Sequence, residues 1–140
     1  MKKQLLAFVV VFVLCSVTNF LIHAVLLQPY YQQTPQLLRA PDDASAHMPF
    51  MLLSFLIFSV AFVWIYARGV EAKPWVGQGL RYGLAMWLIA SVARYLTYFA
   101  VEPWSGAVVA MQIGFELAMM LLLGLVVAGI YRRPAEVRRG

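Results

Sequence analysis

The sequence predicts an all-α membrane protein, an antiparallel up-down bundle of four transmembrane helices with its N and C termini in the cytoplasm. Three observations carry that prediction. Of 140 residues, 63% are hydrophobic and 12% are charged, about half the charged share of an ordinary soluble domain. The apolar residues fall in unbroken runs, such as 5–14 and 119–127, without the period-2 alternation of a membrane barrel. Away from water such runs must satisfy their own backbone, which helices do. The basic residues are also lopsided: Lys2, Lys3, Arg68, Lys73, Arg81, Arg132, Arg133, Arg138 and Arg139 share one side of a four-span layout, and the other side holds Arg39 with Asp42, Asp43 and Glu102. Lys and Arg resist translocation, so the basic side is cytoplasmic.

The chain forms one domain, 1–140, whose first span covers 4–27. Its opening Met-Lys-Lys and the apolar run behind it imitate a secretory signal. The run continues past Cys15 through Phe20, and Leu14 is too large for the residue before a lipoprotein cleavage site, so an uncleaved span is expected. It stops at Gln28-Pro29, where proline removes a donor and Tyr30-Tyr31 settle at the headgroup level. An external loop, 28–47, follows; Pro29, Pro35 and Pro41 oppose a long helix there, and Leu37 and Leu38 suit an interfacial turn.

The second span, 48–66, is stopped by Arg68-Gly69 and the turn at Lys73-Pro74, and the third covers 76–101. Glu102-Pro103-Trp104-Ser105-Gly106 makes a tight turn into the fourth span, 107–131, and a basic cytoplasmic tail covers 132–140. Tyr30, Tyr31 and Trp104 mark the outer interface, with Trp64, Tyr66, Trp75 and Tyr131 near the inner one. Gly79 and Gly83, Gly114 and Ala118, and Gly124 and Ala128 repeat a small-xxx-small spacing that suits close helix contacts within a bundle or between copies. No internal repeat is evident.

Composition excludes several classes of function. A single cysteine, Cys15, rules out an internal disulfide, a cysteine-built metal centre and disulfide exchange within one chain. Basic residues gathered at helix ends do not make a nucleic-acid surface. No glycine-rich phosphate loop, histidine pair at helical spacing or Ser-His-acid set points to an enzyme.

Two ionisable residues lie deep in spans, where a charge costs at least about 2.5 kcal/mol. Arg94 sits about 12 Å of helix rise from the outer end of the third span and Glu116 about 15 Å into the fourth, so matched depth predicts an ion pair. Other polar residues share that level. Ser16, Asn19 and His23 form one stripe on the first helix, Ser91, Arg94 and Tyr98 another on the third, Gln112 and Glu116 a third on the fourth, and Ser54 enters from the second. The candidate ligand-binding set is therefore Asn19, His23, Ser91, Arg94, Tyr98, Gln112 and Glu116, in a polar pocket of the outer half. The inner half, with Phe12, Phe62, Leu84 and Leu122, is expected to stay dry. A structural staple and an accessible site both remain open for the Arg94 and Glu116 pair.

His23 and His47, at the outer ends of adjacent helices, are weak candidates for axial haem ligands. No cofactor is otherwise implied. A metal site from His23, His47, Asp42 and Asp43 is chemically allowed, but a solvated acidic loop is the expectation, with no metal.

At "NFLIHAVLL", Asn19 to Leu27, at "QPYYQQTPQLLR" and at "GQGLRYGLAMWL", the chain resembles small bacterial four-helix inner-membrane proteins of unknown function. The resemblance implies a multi-pass protein of the bacterial inner membrane and a role for His23, Tyr30, Tyr31 and Arg81. Two functions fit the residues. One is an interaction or accessory bundle, stabilised by the Arg-Glu pair, that joins a larger membrane complex or a homodimer and touches no nucleic acid. The other is a binder or transporter of a small amphiphile, such as a lipid, quinone or haem, in the outer-leaflet pocket.

Overall fold

The computed structural model describes residues 2–132. The protein is all-helical, and four of its helices are long and apolar enough to cross a membrane. In chain order, α1 is Lys2–Leu26, the short α2 and α3 are Gln28–Tyr31 and Pro41–Ala46, and α4 is Met48–Arg68. The remaining two are α5, Trp75–Val101, and α6, Gly106–Tyr131. The basic tail beyond Arg132 lies outside the described residues.

The segment read as a loop, 28–47, is largely short helices, with a 3-10 turn at Pro35–Leu37 between α2 and α3. Each of its three prolines sits in the first turn of one of these pieces. A missing N–H is harmless there, because that donor has no helical acceptor anyway, and the fixed φ suits the turn. The same residues that forbid one long helix therefore start three short ones. At the other connection Ser105 caps α6, its hydroxyl accepting from the Val108 N–H at 3.3 Å.

α6 is the axis of the bundle, buried at intervals from Val108 to Ala128. α5 packs most extensively against it, and α1 contacts both α6 and α4. Glycine makes the α5 to α6 approach possible. A Cβ built on Gly83 would stand 2.4 Å from the Met120 carbonyl oxygen, and one on Gly79 would stand 2.7 Å from that of Gly124. Gly114 has open space around it, so of the three small-residue pairs only the other two are spent within the chain.

Two π turns set which residues face inward. α1 carries one at Phe20–Leu26, where the Leu27 N–H reaches back five residues to the Ile22 carbonyl at 2.8 Å, and α5 carries one at Leu88–Val92. Gly79, Gly83, Ser91 and Tyr95 are the buried residues of α5. On a regular helix Gly83 and Ser91 would be about 80° apart around the axis; a π turn absorbs one residue and brings the offset to about 20°. The glycine face and the polar face thereby meet the same neighbour, α6.

The end holding Phe62 is not lined as expected. Phe62 is fully buried, but Leu84 and Leu122 point outward and are exposed. That end is polar as well: the Tyr82 hydroxyl donates to the Phe62 carbonyl at 2.5 Å, and Ser59 is buried on the Phe55 carbonyl. Tyr66 packs edge-on to Tyr82. Three aromatic rings fill space that leucines were expected to fill.

α4 is asymmetric. Its buried residues, Ser59, Phe62, Val63 and Tyr66, all lie in its second half, while Phe50, Met51, Leu52, Leu53 and Ile57 are exposed. The first half therefore stands off the bundle and leaves a cleft at the level of Ser54 and Phe58.

Candidate functional site

Glu116, on α6, is 1% exposed and sits at the centre of the polar layer. A carboxylate has about four lone-pair sites to satisfy, and side chains of the protein supply the donors. Tyr95 donates its hydroxyl to Oε1 at 2.5 Å, Arg94 donates from Nη2 to the same oxygen at 2.9 Å, and Ser91 donates to Oε2. His23 Nε2 stands 3.6 Å from Oε1 and 3.5 Å from the Tyr95 hydroxyl. The Arg94 to Glu116 ion pair called for by matched depth is thus formed, and three residues of one α5 segment hold a single carboxylate.

A second tier lies beyond His23. Its Nδ1 is 2.6 Å from the Tyr31 hydroxyl, which also accepts from Gln112 Nε2 at 3.0 Å. The two rings are nearly parallel, and Trp104 packs edge-on against Tyr31. Nε2 faces a carboxylate, which can only accept, so the imidazole proton is assigned to Nε2 and Nδ1 is left to accept the phenol proton of Tyr31. Hydrogen bonds thus join α2 to His23, and the Tyr95 hydroxyl, 3.5 Å from Nε2, links the imidazole to the buried carboxylate.

Arg94 differs from its partner in one respect that matters for function. Its side chain is 47% exposed, with the guanidinium carbon 4.7 Å over the Tyr95 ring. Its Nη2 donates to Glu116, and the residue also lines a cleft. This cleft, about 120 Å³, is lined by Cys15, Asn19, Ser54, Phe55, Phe58, Ala90, Met119 and Met120 together with both members of the ion pair, Arg94 and Glu116. Phe55, Phe58, Met119 and Met120 give it an apolar wall and the ion pair gives it a charged one, the pattern of a site for a molecule with one polar end.

The candidate residues fall into three groups. Ser91, Arg94 and Glu116 meet directly, and Asn19 lines the cleft, its amide donating to the Cys15 carbonyl at 2.9 Å. His23 and Gln112 join through Tyr31, and His23 faces the same carboxylate oxygen as Arg94 and Tyr95. Tyr98 does not join: it is exposed and touches the network only by packing edge-on to Tyr95. Ser16 and Ser54 return their hydroxyls to carbonyls of their own helices.

Tyr95 is the member that sequence reading missed; Tyr31, given a role by the resemblance and a place at the headgroups by its position, instead brings its hydroxyl to His23 and Gln112. Tyr95 lies four residues after Ser91, a spacing that shares a helix face, but the stripe was drawn through Tyr98. With the π turn in place, α5 turns Tyr95 toward Glu116 and Tyr98 away.

The histidines do not suit haem. Both ring nitrogens of His23 face protein partners, and His47 is held on its own turn by the Asp43 carbonyl at 2.7 Å and the Asp43 carboxylate at 3.2 Å. Among the described residues no three His, Cys, Asp or Glu side chains gather as metal ligands.

A larger depression, about 250 Å³, lies at the opposite end beside the α4 to α5 connection, lined by Tyr66, Lys73, Gln78, Arg81 and Tyr82 among others. Gln78 pins that connection, accepting from the Glu71 N–H at 3.0 Å and donating to the Glu71 and Lys73 carbonyls at 2.8 and 2.9 Å. The Lys73 ammonium, 2.5 Å from the Glu71 carboxylate, holds that carboxyl below its ordinary range. Its charged groups are exposed and water-solvated, so less is gained there by binding a polar ligand than beside Arg94.

Comparison of the chain with models of protein families, with curated proteins and with solved structures finds no match.

Proposed function

We propose that this membrane protein binds a small amphiphile in the cleft beside Arg94, the guanidinium receiving the polar head and Phe55, Phe58 and Met120 the apolar part. The observation that carries the reading is the mismatch between the ion-pair partners: Glu116 is 1% exposed and Arg94 47%. A staple with no further role has no need to leave its cation half open to a cleft. The bundle is read as up-down and antiparallel in a bacterial inner membrane, with both termini cytoplasmic. The uneven basic residues support that orientation. The pairing of Gly79 with Gly124 and of Gly83 with Met120, in which residue numbers run in opposite senses, supports antiparallel α5 and α6.

The test is native mass spectrometry of the protein extracted in mild detergent, wild type beside Arg94→Gln. A retained amphiphile in the wild type that is lost in the variant is the expected result. Equal retention by both sinks the binding reading. An accessory bundle is the second reading, favoured by the satisfaction of Glu116 within the chain and by the exposed apolar first half of α4. On that reading the same spectra carry a protein partner or a second copy and no amphiphile.

A further inference from the structure

The charges around Glu116 define the head of the bound molecule more closely than the cleft does, given that the cleft binds an amphiphile at all. The groups facing His23 are Tyr31 from α2, Tyr95 from α5 and Glu116 from α6, with Arg94 reaching the same carboxylate oxygen. α4 carries no titratable residue between His47 and Tyr66. With His23 neutral, Arg94 and Glu116 cancel. A neutral head leaves that balance intact but takes only a hydrogen bond from Arg94, without the full attraction between opposite charges. An anionic head is drawn to Arg94, yet it leaves one uncompensated negative charge in a medium of low dielectric, which is strongly unfavourable.

One group is placed to remove that charge. His23 stands 3.6 Å from the oxygen that Arg94 now holds, and its Nδ1 already lies in a hydrogen bond with the Tyr31 hydroxyl. We infer that the cleft binds an anionic amphiphile together with one proton, the anion at Arg94 and the proton on His23. The proton enters at Nδ1. The Tyr31 oxygen then accepts from Nδ1–H as well as from Gln112, and its own O–H, kept on the phenol, rotates away from the imidazole. The imidazolium Nε2–H takes over the charge of Glu116, and the Arg94 guanidinium turns its charge to the incoming anion. One proton and one anion are added to a neutral pair, so the site is neutral before and after.

Because the two ligands bind together, each strengthens the other by the same factor. Affinity for the anion falls as pH rises, approaching about tenfold per pH unit when the coupling is complete. The probe is a pyrene-labelled alkylsulfonate, ionised throughout, titrated into full-length protein in neutral maltoside micelles between about pH 5.5 and about pH 8, the range in which histidine changes charge. Saturable binding is expected in the wild type, weakening at least tenfold across that range. In His23→Gln the slope should vanish, and in Tyr31→Phe, which keeps the ring but removes the partner of Nδ1, its midpoint should move. Circular dichroism and elution volume establish that each variant is folded.

The outcomes separate the two claims. Binding that Arg94→Gln leaves unchanged overturns the cleft as the site. Binding abolished by Arg94→Gln but independent of pH in the wild type overturns proton coupling, and a slope that persists in His23→Gln overturns His23 as the carrier of the proton; both leave the cleft standing. A pH-independent neutral probe, the matching pyrene-labelled alcohol, should bind more weakly than the sulfonate at the acid end; tighter binding of the alcohol there overturns the anionic head.

Discussion

Removing Arg94 alone should be more damaging than removing the whole ion pair. In Arg94→Gln the carboxylate of Glu116, 1% exposed, loses its nearest cation and keeps the hydroxyls of Ser91 and Tyr95 and the distant His23. Breaking a buried pair from one side costs about 3–5 kcal/mol. Arg94 is half exposed, so some of its attraction is already screened, and a loss of about 2–3 kcal/mol is the better figure. The double variant Arg94→Leu with Glu116→Leu strands no charge. It does strip two hydroxyls of their acceptor, at about 1 kcal/mol each. Ser91 recovers part of this by bonding a carbonyl of its own helix, which leaves a net loss of about 1 kcal/mol. The order of stability is therefore wild type, double variant, Arg94→Gln. Unfolding by titration of sodium dodecyl sulfate into mixed micelles, followed by far-UV circular dichroism, measures it. A double variant less stable than Arg94→Gln, or an Arg94→Gln variant within about 0.5 kcal/mol of wild type, would refute the premise that Glu116 depends on this cation.

Three further perturbations test the frame around the site. Gly83→Ala should cost about 1–3 kcal/mol in the same assay, because its Cβ would press on the Met120 carbonyl, whereas Gly77→Ala and Gly114→Ala, with nothing within 4 Å, should be neutral or stabilising by up to about 1 kcal/mol. Deleting the exposed Ile89 should convert the α5 π turn to α-helix while keeping Gly83 and Tyr95 on one face, so that the variant folds; inserting an alanine after Ile89 rotates the two halves by about 100° and should abolish the folded elution peak. In the α4 to α5 connection the Glu71 carboxyl should titrate below the ordinary carboxylate range by carbon-13 NMR, and its midpoint should return upward in Lys73→Gln or in about 1 M salt. The sign follows from the lowered pKa: the contribution of this pair is present above the unfolded-state pKa and fades as pH falls through the folded one.

How much of the site is readable in the sequence depends on what kind of constraint places each residue. Arg94 and Glu116 stand out because charge in hydrocarbon demands a partner, and counting residues from the nearest turn is enough to match their depth. Ser91 follows from the same count. Tyr95 does not, because helical periodicity alone offers Tyr95 and Tyr98 as nearly equal neighbours of Ser91, and the choice rests on a π turn that has no sequence signature. Tyr31 looks like a headgroup anchor until α2 folds back over α1 and brings its hydroxyl to His23 and Gln112. The prolines at 29, 35 and 41 forbid one helix in any reading, yet only the folded segment reveals them as the starts of three short turns.

Sequence by itself determined that this protein is helical and built for a membrane, since the bilayer offers the backbone no other partner and long apolar runs leave no alternative. Tertiary structure alone decided which face of each helix turns inward, which glycines are pressed against a neighbour and which charged partner meets the cleft. Those choices depend on helix rotation, and a rotation of a few tens of degrees from one π turn changes them without changing a single residue.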